Sequence, residues 1–273
     1  MRVEANGLTF QVVDEGAGPA VLLLHGFPDS SALWRHQVPA LAEAGYRVIA
    51  PDLRGFGESD KPAEVKAYGL VTVAGDVLGI LDRLGVERAS VVGHDWGAAL
   101  AWLLAMMVPD RVDRLAALSV GHPAGFFTAG WEQRQRSWYM LFFLFEGVAE
   151  EGLRYDDWRL LREMAAGGDV DRYVADLARP GALTAALNWY RANIRPETFA
   201  GLGGTPTPPV DRPVLGVWSS GDMFLTEEQM TGSAAYVQGS WRYERLDGIG
   251  HWIPVEAPDR LTELLLEFLR SDA

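Results

Sequence analysis

The chain has 273 residues, 48% of them hydrophobic and 11% aromatic, so it is long and apolar enough to bury a full-sized core. Its formal net charge of -13 argues against a nucleic-acid partner, because such binding needs clustered Lys and Arg that neutralise phosphates. It has no cysteine, no signal-peptide pattern and no membrane-length apolar run, which excludes disulfides and favours a soluble cytoplasmic protein.

The first predicted element is a β-hairpin, followed by alternating strands and helices. Two β-type runs flank Asn6-Gly7, the dipeptide that most readily supplies both positive φ angles of a tight turn. Short apolar runs then alternate with helical patterns, and such runs are typical of strands buried on both faces. This alternation predicts an α/β fold with a mostly parallel sheet and helices on both faces. The runs are AVLLLHG, YRVIAPD, ASVVGHD and RLAALSV.

The alternation is interrupted from about Gly125 to about Arg212. The interruption is almost entirely helical in pattern and closes with GLGGTPTPPVDRP, whose Gly and Pro density marks a loop returning to the core. Strand and helix patterns then resume, from PVLGVWSSGD to PDRLTELLLEFLRSD. We therefore predict a core formed by residues 1-124 and 213-273, with residues 125-212 inserted as a helical cap.

Polar residues follow several of the predicted strands. Ligands of open parallel sheets bind at the carboxyl ends of the strands. Asp95 ends ASVVGHD, Asp222 follows VLGVWSSG, and His251 follows the last strand in DGIGHW. Nucleophile, acid and histidine in this chain order are typical of the α/β-hydrolase triad, and Asp95 occupies the nucleophile position of a G-x-nucleophile-x-G turn. The sequence therefore predicts a carboxylate nucleophile.

Each of these residues has a purely structural alternative. Asp95 could cap the following helix, Asp222 could form a turn, and His251 could be a packed core residue. Their joint placement at strand ends favours the chemical interpretation. The sequence has no convincing metal-ligand spacing, no dinucleotide-binding glycine pattern and no P-loop lysine, so we expect neither a metal nor a cofactor.

These motifs resemble the epoxide hydrolases of the α/β-hydrolase fold, over essentially the whole chain. HGFPDS is similar to the family's oxyanion-loop motif, PDLRGFGES to its next strand and loop, and GHDWG to its aspartate nucleophile turn. The segments SWYMLFF and LNWYRAN resemble the two segments that carry the family's lid tyrosines. The resemblance implies a mostly parallel eight-stranded sheet, with the helical cap inserted after the sixth strand.

The resemblance also implies a reaction. A carboxylate needs no base before it attacks a saturated carbon, so Asp95 would open an epoxide and form an ester with it. Tyr139 and Tyr190 would hold the epoxide oxygen and protonate it. His251, oriented by Asp222, would activate the water that hydrolyses the ester to a vicinal diol.

Two backbone groups and a pocket complete the predicted site. The N–H groups of Phe27 and Trp96 would form the oxyanion hole. The expected ligand is a small apolar epoxide, with no membrane partner, and the protein is expected to be a monomer or homodimer. The predicted pocket residues are Phe27, Pro28, Trp96, Met140, Trp189 and Trp252.

Other interpretations stay open. A tyrosine on an aromatic-rich helix is more often a core residue than a catalytic acid. A haloalkane or haloacid dehalogenase would use the same triad, with the Trp96 indole as one halide donor, although haloalkane dehalogenases often place Asn where this chain has Phe27. A non-enzymatic ligand-binding protein is a further alternative, against which the complete set of Asp95, Asp222 and His251 argues.

Overall fold

The computed structural model describes residues 1–200 and 207–271 of the chain. Its centre is one eight-stranded sheet with the strand order β1-β2-β4-β3-β5-β6-β7-β8. The strands are β1 (Arg2–Ala5), β2 (Leu8–Gly16), β3 (Ala20–Leu24), β4 (Arg47–Pro51), β5 (Ala89–His94), β6 (Val112–Leu118), β7 (Val214–Ser219) and β8 (Trp241–Leu246).

The sheet is antiparallel at one edge and parallel elsewhere. Strand β2 pairs antiparallel with both β1 and β4, whereas the pairs from β4–β3 through to β7–β8 are parallel. The hairpin turn between β1 and β2 has Asn6 at φ 50° and Gly7 at φ 77°. The predicted fold class, a mostly parallel sheet opened by a hairpin, is therefore confirmed.

Helices flank this sheet and fill the long connection between β6 and β7. We call the helices of that connection, α4 to α10, the helical cap. The helices are α1 (Gln37–Glu43), α2 (Leu70–Arg83), α3 (Trp96–Met107), α4 (Pro123–Thr128), α5 (Gly130–Arg136), α6 (Trp138–Phe142), α7 (Val148–Met164), α8 (Val170–Leu177), α9 (Ala182–Asn193), α10 (Pro196–Phe199), α11 (Glu227–Thr231), α12 (Ile253–Glu256) and α13 (Pro258–Arg270). None of these helices of the described chain is long and apolar enough to cross a membrane.

The cap is more broken than its sequence pattern indicates. The continuous pattern WEQRQRSWYMLFFLF forms two helices, because Ser137 ends the first and its hydroxyl accepts a hydrogen bond from Gln133 at 2.8 Å. Within α7, residues 156 to 158 have φ between 52° and 62°, so the helix is interrupted there. Residues 201–206 of the predicted return loop lie outside the described residues. The division at 124/125 and 212/213 remains our proposal.

The central strands lie in the middle of the core. Every residue of β7 is buried, as are four of the five residues of β3, which explains the continuous apolar runs in the sequence. Only Asp95 separates the end of β5 from the start of α3, and this helix lies directly against β3. A Cβ added to Gly97, in the first turn of α3, would lie 2.1 Å from the Leu24 carbonyl oxygen. This close contact fixes the start of α3 against the strand.

We predict that Gly97→Ala destabilises the fold by about 1–3 kcal/mol, the usual cost of overpacking a filled core. Gly75→Ala is the matched control, because the nearest atom to an added Cβ at this position of α2 is 3.8 Å away. The control should be neutral or stabilising by up to about 1 kcal/mol. Urea unfolding of both variants measures the difference, and equal stability of Gly97→Ala and wild type would contradict the close packing.

Candidate active site

Asp95 lies alone on the turn between β5 and α3. Its backbone has φ 55° and ψ -123°, a conformation that costs a non-glycine residue about 1–3 kcal/mol. Within the described residues its carboxylate accepts no capping hydrogen bond from α3. Oδ1 instead accepts the backbone N–H of Phe27 at 2.7 Å. The turn therefore directs the carboxylate to the HGFP loop after β3.

The HGFP loop passes very close to this carboxylate. A Cβ added to Gly26 would lie 2.1 Å from Asp95 Oδ1, so a residue with a side chain would displace either the loop or the carboxylate. The glycine allows the next residue, Phe27, to present its N–H directly to Oδ1. One carboxylate oxygen is thus held by the backbone.

Asp222 and His251 approach Asp95 from loops that follow β7 and β8. His251 Nδ1 lies 2.8 Å from Asp222 Oδ2, while Asp222 Oδ1 accepts the N–H groups of Phe224 at 2.8 Å and Leu225 at 3.0 Å. His251 Nε2 lies 3.8 Å from Asp95 Oδ2, beyond hydrogen-bond distance. The three side chains predicted from separate strand ends are brought together, and Nε2 faces the nucleophile position.

Burial and charge act against each other in this group. Burial lowers the pKa of His251, but the charge and hydrogen bond of Asp222 and the charge of Asp95 raise it above its ordinary value. Burial also disfavours the ionised form of Asp222, yet His251 and two backbone N–H groups bring the pKa of this carboxyl below its usual value. Asp222 is therefore ionised at neutral pH, in the state that accepts the hydrogen bond of the His251 imidazole.

The pKa of Asp95 moves in the opposite direction. Burial raises it above the ordinary value, and the charge of His251 and the N–H groups of Trp96 and Phe27 oppose the shift. This upward shift arises from burial in the folded protein and has no signal in the local sequence. These three groups are what favours the ionised carboxylate in a buried position.

Tyr139 and Tyr190 extend from two helices of the cap, α6 and α9, towards the same carboxylate. Both are buried, and their ring centroids are 6.0 Å apart. Burial raises the pKa of both phenols well above 10, and the negative charge of Asp95 adds to the shift. Both hydroxyls therefore stay protonated and can donate a proton or a hydrogen bond at neutral pH.

Two cavities meet at Asp95, Tyr139 and Tyr190, which line both of them. The wide cavity has a volume of about 210 Å³ and the narrow cavity about 20 Å³. The wide cavity is otherwise mostly apolar, with walls that include Leu70, Trp96, Phe126, Phe127, Met140 and Ile194. The narrow cavity is lined also by Phe27, Pro28, Leu161, Met164, Ala165, Phe224, His251 and Trp252.

Five of the six predicted pocket residues lie in these walls. Trp189 is the exception, because it is not among the described residues that line either cavity. Its ring packs behind Trp96 at a centroid distance of 5.9 Å, and its Nε1 donates to the Arg54 carbonyl at 2.9 Å. The indole faces the core because α9 presents the adjacent Tyr190 to the cavity. The prediction that Trp189 lines the pocket is therefore wrong.

Sequence reasoning also missed part of the wall. The ring centroid of Phe224 lies 5.1 Å from that of His251. The only sequence signal for its place in the wall is its position two residues after Asp222. Leu161 and Met164 come from α7, and the pattern of that helix does not indicate which of its faces borders a cavity. Within the described ranges, no group of three or more His, Asp or Glu side chains is arranged to hold a metal ion.

The fold and the three side chains define the class of α/β hydrolases, and comparison with known proteins agrees with that class. Residues 19–258 match the alpha/beta hydrolase fold family. Epoxide hydrolase A of Mycobacterium tuberculosis is 35% identical, over 98% of this chain and 96% of the relative. The crystal structure of Epoxide Hydrolase A from Mycobacterium thermoresistibile is 31% identical, with a TM-score of 0.83 and coverage of 99% of this chain and 98% of that chain.

A second similar structure is a mutant epoxide hydrolase from Bacillus megaterium, 26% identical, with a TM-score of 0.87 over 99% of this chain and 100% of that chain. The chain belongs to the epoxide hydrolase family of the α/β-hydrolase fold, and it is a hydrolase.

We predict that Asp222→Asn lowers the pKa of His251 below its ordinary value of 6.5, because burial then outweighs the remaining charges. Glu256→Gln is the control: it removes a weaker source of negative charge and should cause a smaller decrease. NMR titration of ¹⁵N-labelled histidine, with His251→Gln used to assign the resonance, measures both shifts. An unchanged pKa in Asp222→Asn would show that Asp222 does not control the imidazole.

Proposed function

We propose that the protein is an epoxide hydrolase that converts small apolar epoxides to vicinal diols through an ester on Asp95. The observation that carries the proposal is that one carboxylate and two neutral tyrosine side chains line both of two adjoining, mostly apolar cavities. The similar Bacillus megaterium structure was solved with its product (R)-3-[1]naphthyloxy-propane-1,2-diol, a vicinal diol, which supports this chemistry.

In the first half-reaction Asp95 displaces the epoxide oxygen. Oδ1 is held by the Phe27 N–H, so Oδ2 is the oxygen free to attack. The bond from Oδ2 to a ring carbon forms as the bond from that carbon to the epoxide oxygen breaks. The developing alkoxide takes a proton from Tyr139 or Tyr190, and the tyrosinate regains a proton from solvent. The product of this step is a hydroxyalkyl ester of Asp95.

In the second half-reaction water cleaves that ester. His251 Nε2 takes a proton from the water, which attacks the carboxyl carbon of Asp95, and Asp222 stabilises the imidazolium. Negative charge develops on Oδ1, which already receives the Phe27 N–H, and the Trp96 N–H is the second donor. The tetrahedral intermediate expels the diol oxygen, which takes its proton from His251. Asp95 is left as a carboxylic acid and loses its proton to solvent, which restores the carboxylate and balances the proton that the tyrosinate took up.

The tyrosines favour this proposal over dehalogenation. A halide leaving group needs hydrogen-bond donors but no proton, whereas an alkoxide needs a proton source. Two buried phenols whose pKa values lie well above 10 are proton donors matched to an alkoxide. Loss of activity with retention of ligand binding is the remaining alternative, against which the intact bond between His251 and Asp222 argues.

A panel assay tests the proposal. The purified protein should convert aryl and alkyl epoxides to diols without added metal or nucleotide, and it should release no halide from haloalkanes of similar size. Halide release without diol formation would assign a dehalogenase, and inactivity in both assays would favour the binding protein.

We predict that Tyr139→Phe or Tyr190→Phe slows epoxide opening by about 10- to 1,000-fold, the scale of losing one donor to a developing oxyanion. The double variant should be almost inactive. Rapid-quench measurement of the first turnover reports this step, and circular dichroism checks the fold. Wild-type turnover in a folded double variant would show that both tyrosines are only core residues.

A further inference from the structure

The unequal size of the two cavities constrains the substrate, if the proposed function is correct. Asp95, Tyr139 and Tyr190 line both cavities, so an epoxide in reach of all three side chains lies at the junction. Its oxygen faces the tyrosines and its ring carbons lie on either side. A substituent on one carbon extends into the wide cavity, and a substituent on the other extends into the narrow cavity.

The wide cavity accepts a large group. Its volume of about 210 Å³ exceeds the roughly 150 Å³ of an apolar cavity that binds benzene. The narrow cavity has about 20 Å³, and a single water molecule requires about 10–15 Å³. Only a hydrogen atom or a very small substituent fits beside one water molecule there.

The narrow cavity is also where the hydrolytic water must lie. His251 lines it together with Asp95, and the two side chains approach to 3.8 Å between Nε2 and Oδ2. A large substituent in this cavity would therefore exclude the water that the second half-reaction needs. The volume of the narrow cavity and the need for a hydrolytic water molecule therefore both exclude a large substituent from it.

The core side of the narrow cavity has little freedom to move. The Phe27 N–H is bonded to Asp95, and its ring packs against Phe143 and Tyr190 at 5.5 Å and 5.6 Å between centroids. The Phe224 N–H is bonded to Asp222 at 2.8 Å. The cap side includes Met164, an unbranched and adaptable side chain that is partly exposed. Met164 is thus the wall residue whose truncation widens this cavity with least effect on the triad.

We infer that this enzyme acts on terminal epoxides, whose single large substituent occupies the wide cavity, and that Met164 excludes epoxides with a large substituent on each ring carbon. The selectivity depends on the proposed function, because it concerns the substrate of that same site.

The test compares kcat/KM for styrene oxide and for trans-stilbene oxide, which carries a phenyl group on each ring carbon. Wild type should prefer styrene oxide by about 100-fold or more, and Met164→Ala should reduce this preference by about 10-fold, the scale of steric discrimination in an apolar pocket. Met140→Ala is the matched control, because it enlarges the wide cavity and should not reduce the preference.

A second readout separates exclusion from slow hydrolysis. In His251→Gln, styrene oxide should leave a covalent adduct detectable by mass spectrometry, whereas trans-stilbene oxide should leave one only when Met164→Ala is added. Comparable kcat/KM values for both epoxides in wild type would overturn the inference and leave the proposed function intact. A preference unaffected by Met164→Ala would overturn the role of Met164. Conversion of neither epoxide, nor of any other in the panel, would instead remove the proposed function and the inference with it.

Discussion

The site depends on keeping one carboxylate ionised in a buried position on a strained turn. Asp95 is 8% exposed, and burial raises its pKa. Coulombic attraction to His251 and the backbone N–H groups of Trp96 and Phe27 oppose that shift. The left-handed backbone at φ 55° places Asp95 where these groups reach it, at a cost of about 1–3 kcal/mol that the packing of β5 and α3 must offset.

The cap fixes the loops of the core as well as supplying the tyrosines. The Arg136 guanidinium in α5 donates to the Asp222 carbonyl at 2.7 Å, and the Tyr173 hydroxyl in α8 donates to Asp29 Oδ2, also at 2.7 Å. Asp29 follows the HGFP loop directly, so the first bond anchors the loop that carries Asp222 and the second anchors the HGFP loop. Cap and core therefore define the geometry of the site together. This is how Phe27 and His251, which are far apart in the sequence, come to line the same narrow cavity.

Much of this arrangement could be predicted from the sequence, because its causes are local. Buried parallel strands require continuous apolar runs, the Asn6-Gly7 turn requires positive φ, and chemistry at strand ends follows from the parallel sheet. The orientation of cap residues has no such local signal. Trp189 and Tyr190 are neighbours on one helix, yet only Tyr190 reaches the cavity, since helix rotation is set by tertiary packing. The unequal cavities and the direction of the Asp95 pKa shift also arise from packing.

The central claim, that Asp95 is the nucleophile, is tested most directly by one turnover in heavy-oxygen water. Wild-type enzyme in excess over epoxide should release a diol that carries an unlabelled oxygen from Asp95, because water attacks the carboxyl carbon and not the epoxide. The heavy oxygen should then be found on Asp95, in the peptide containing GHDWG. Heavy oxygen in the first diol, together with an unlabelled Asp95, would contradict the covalent route.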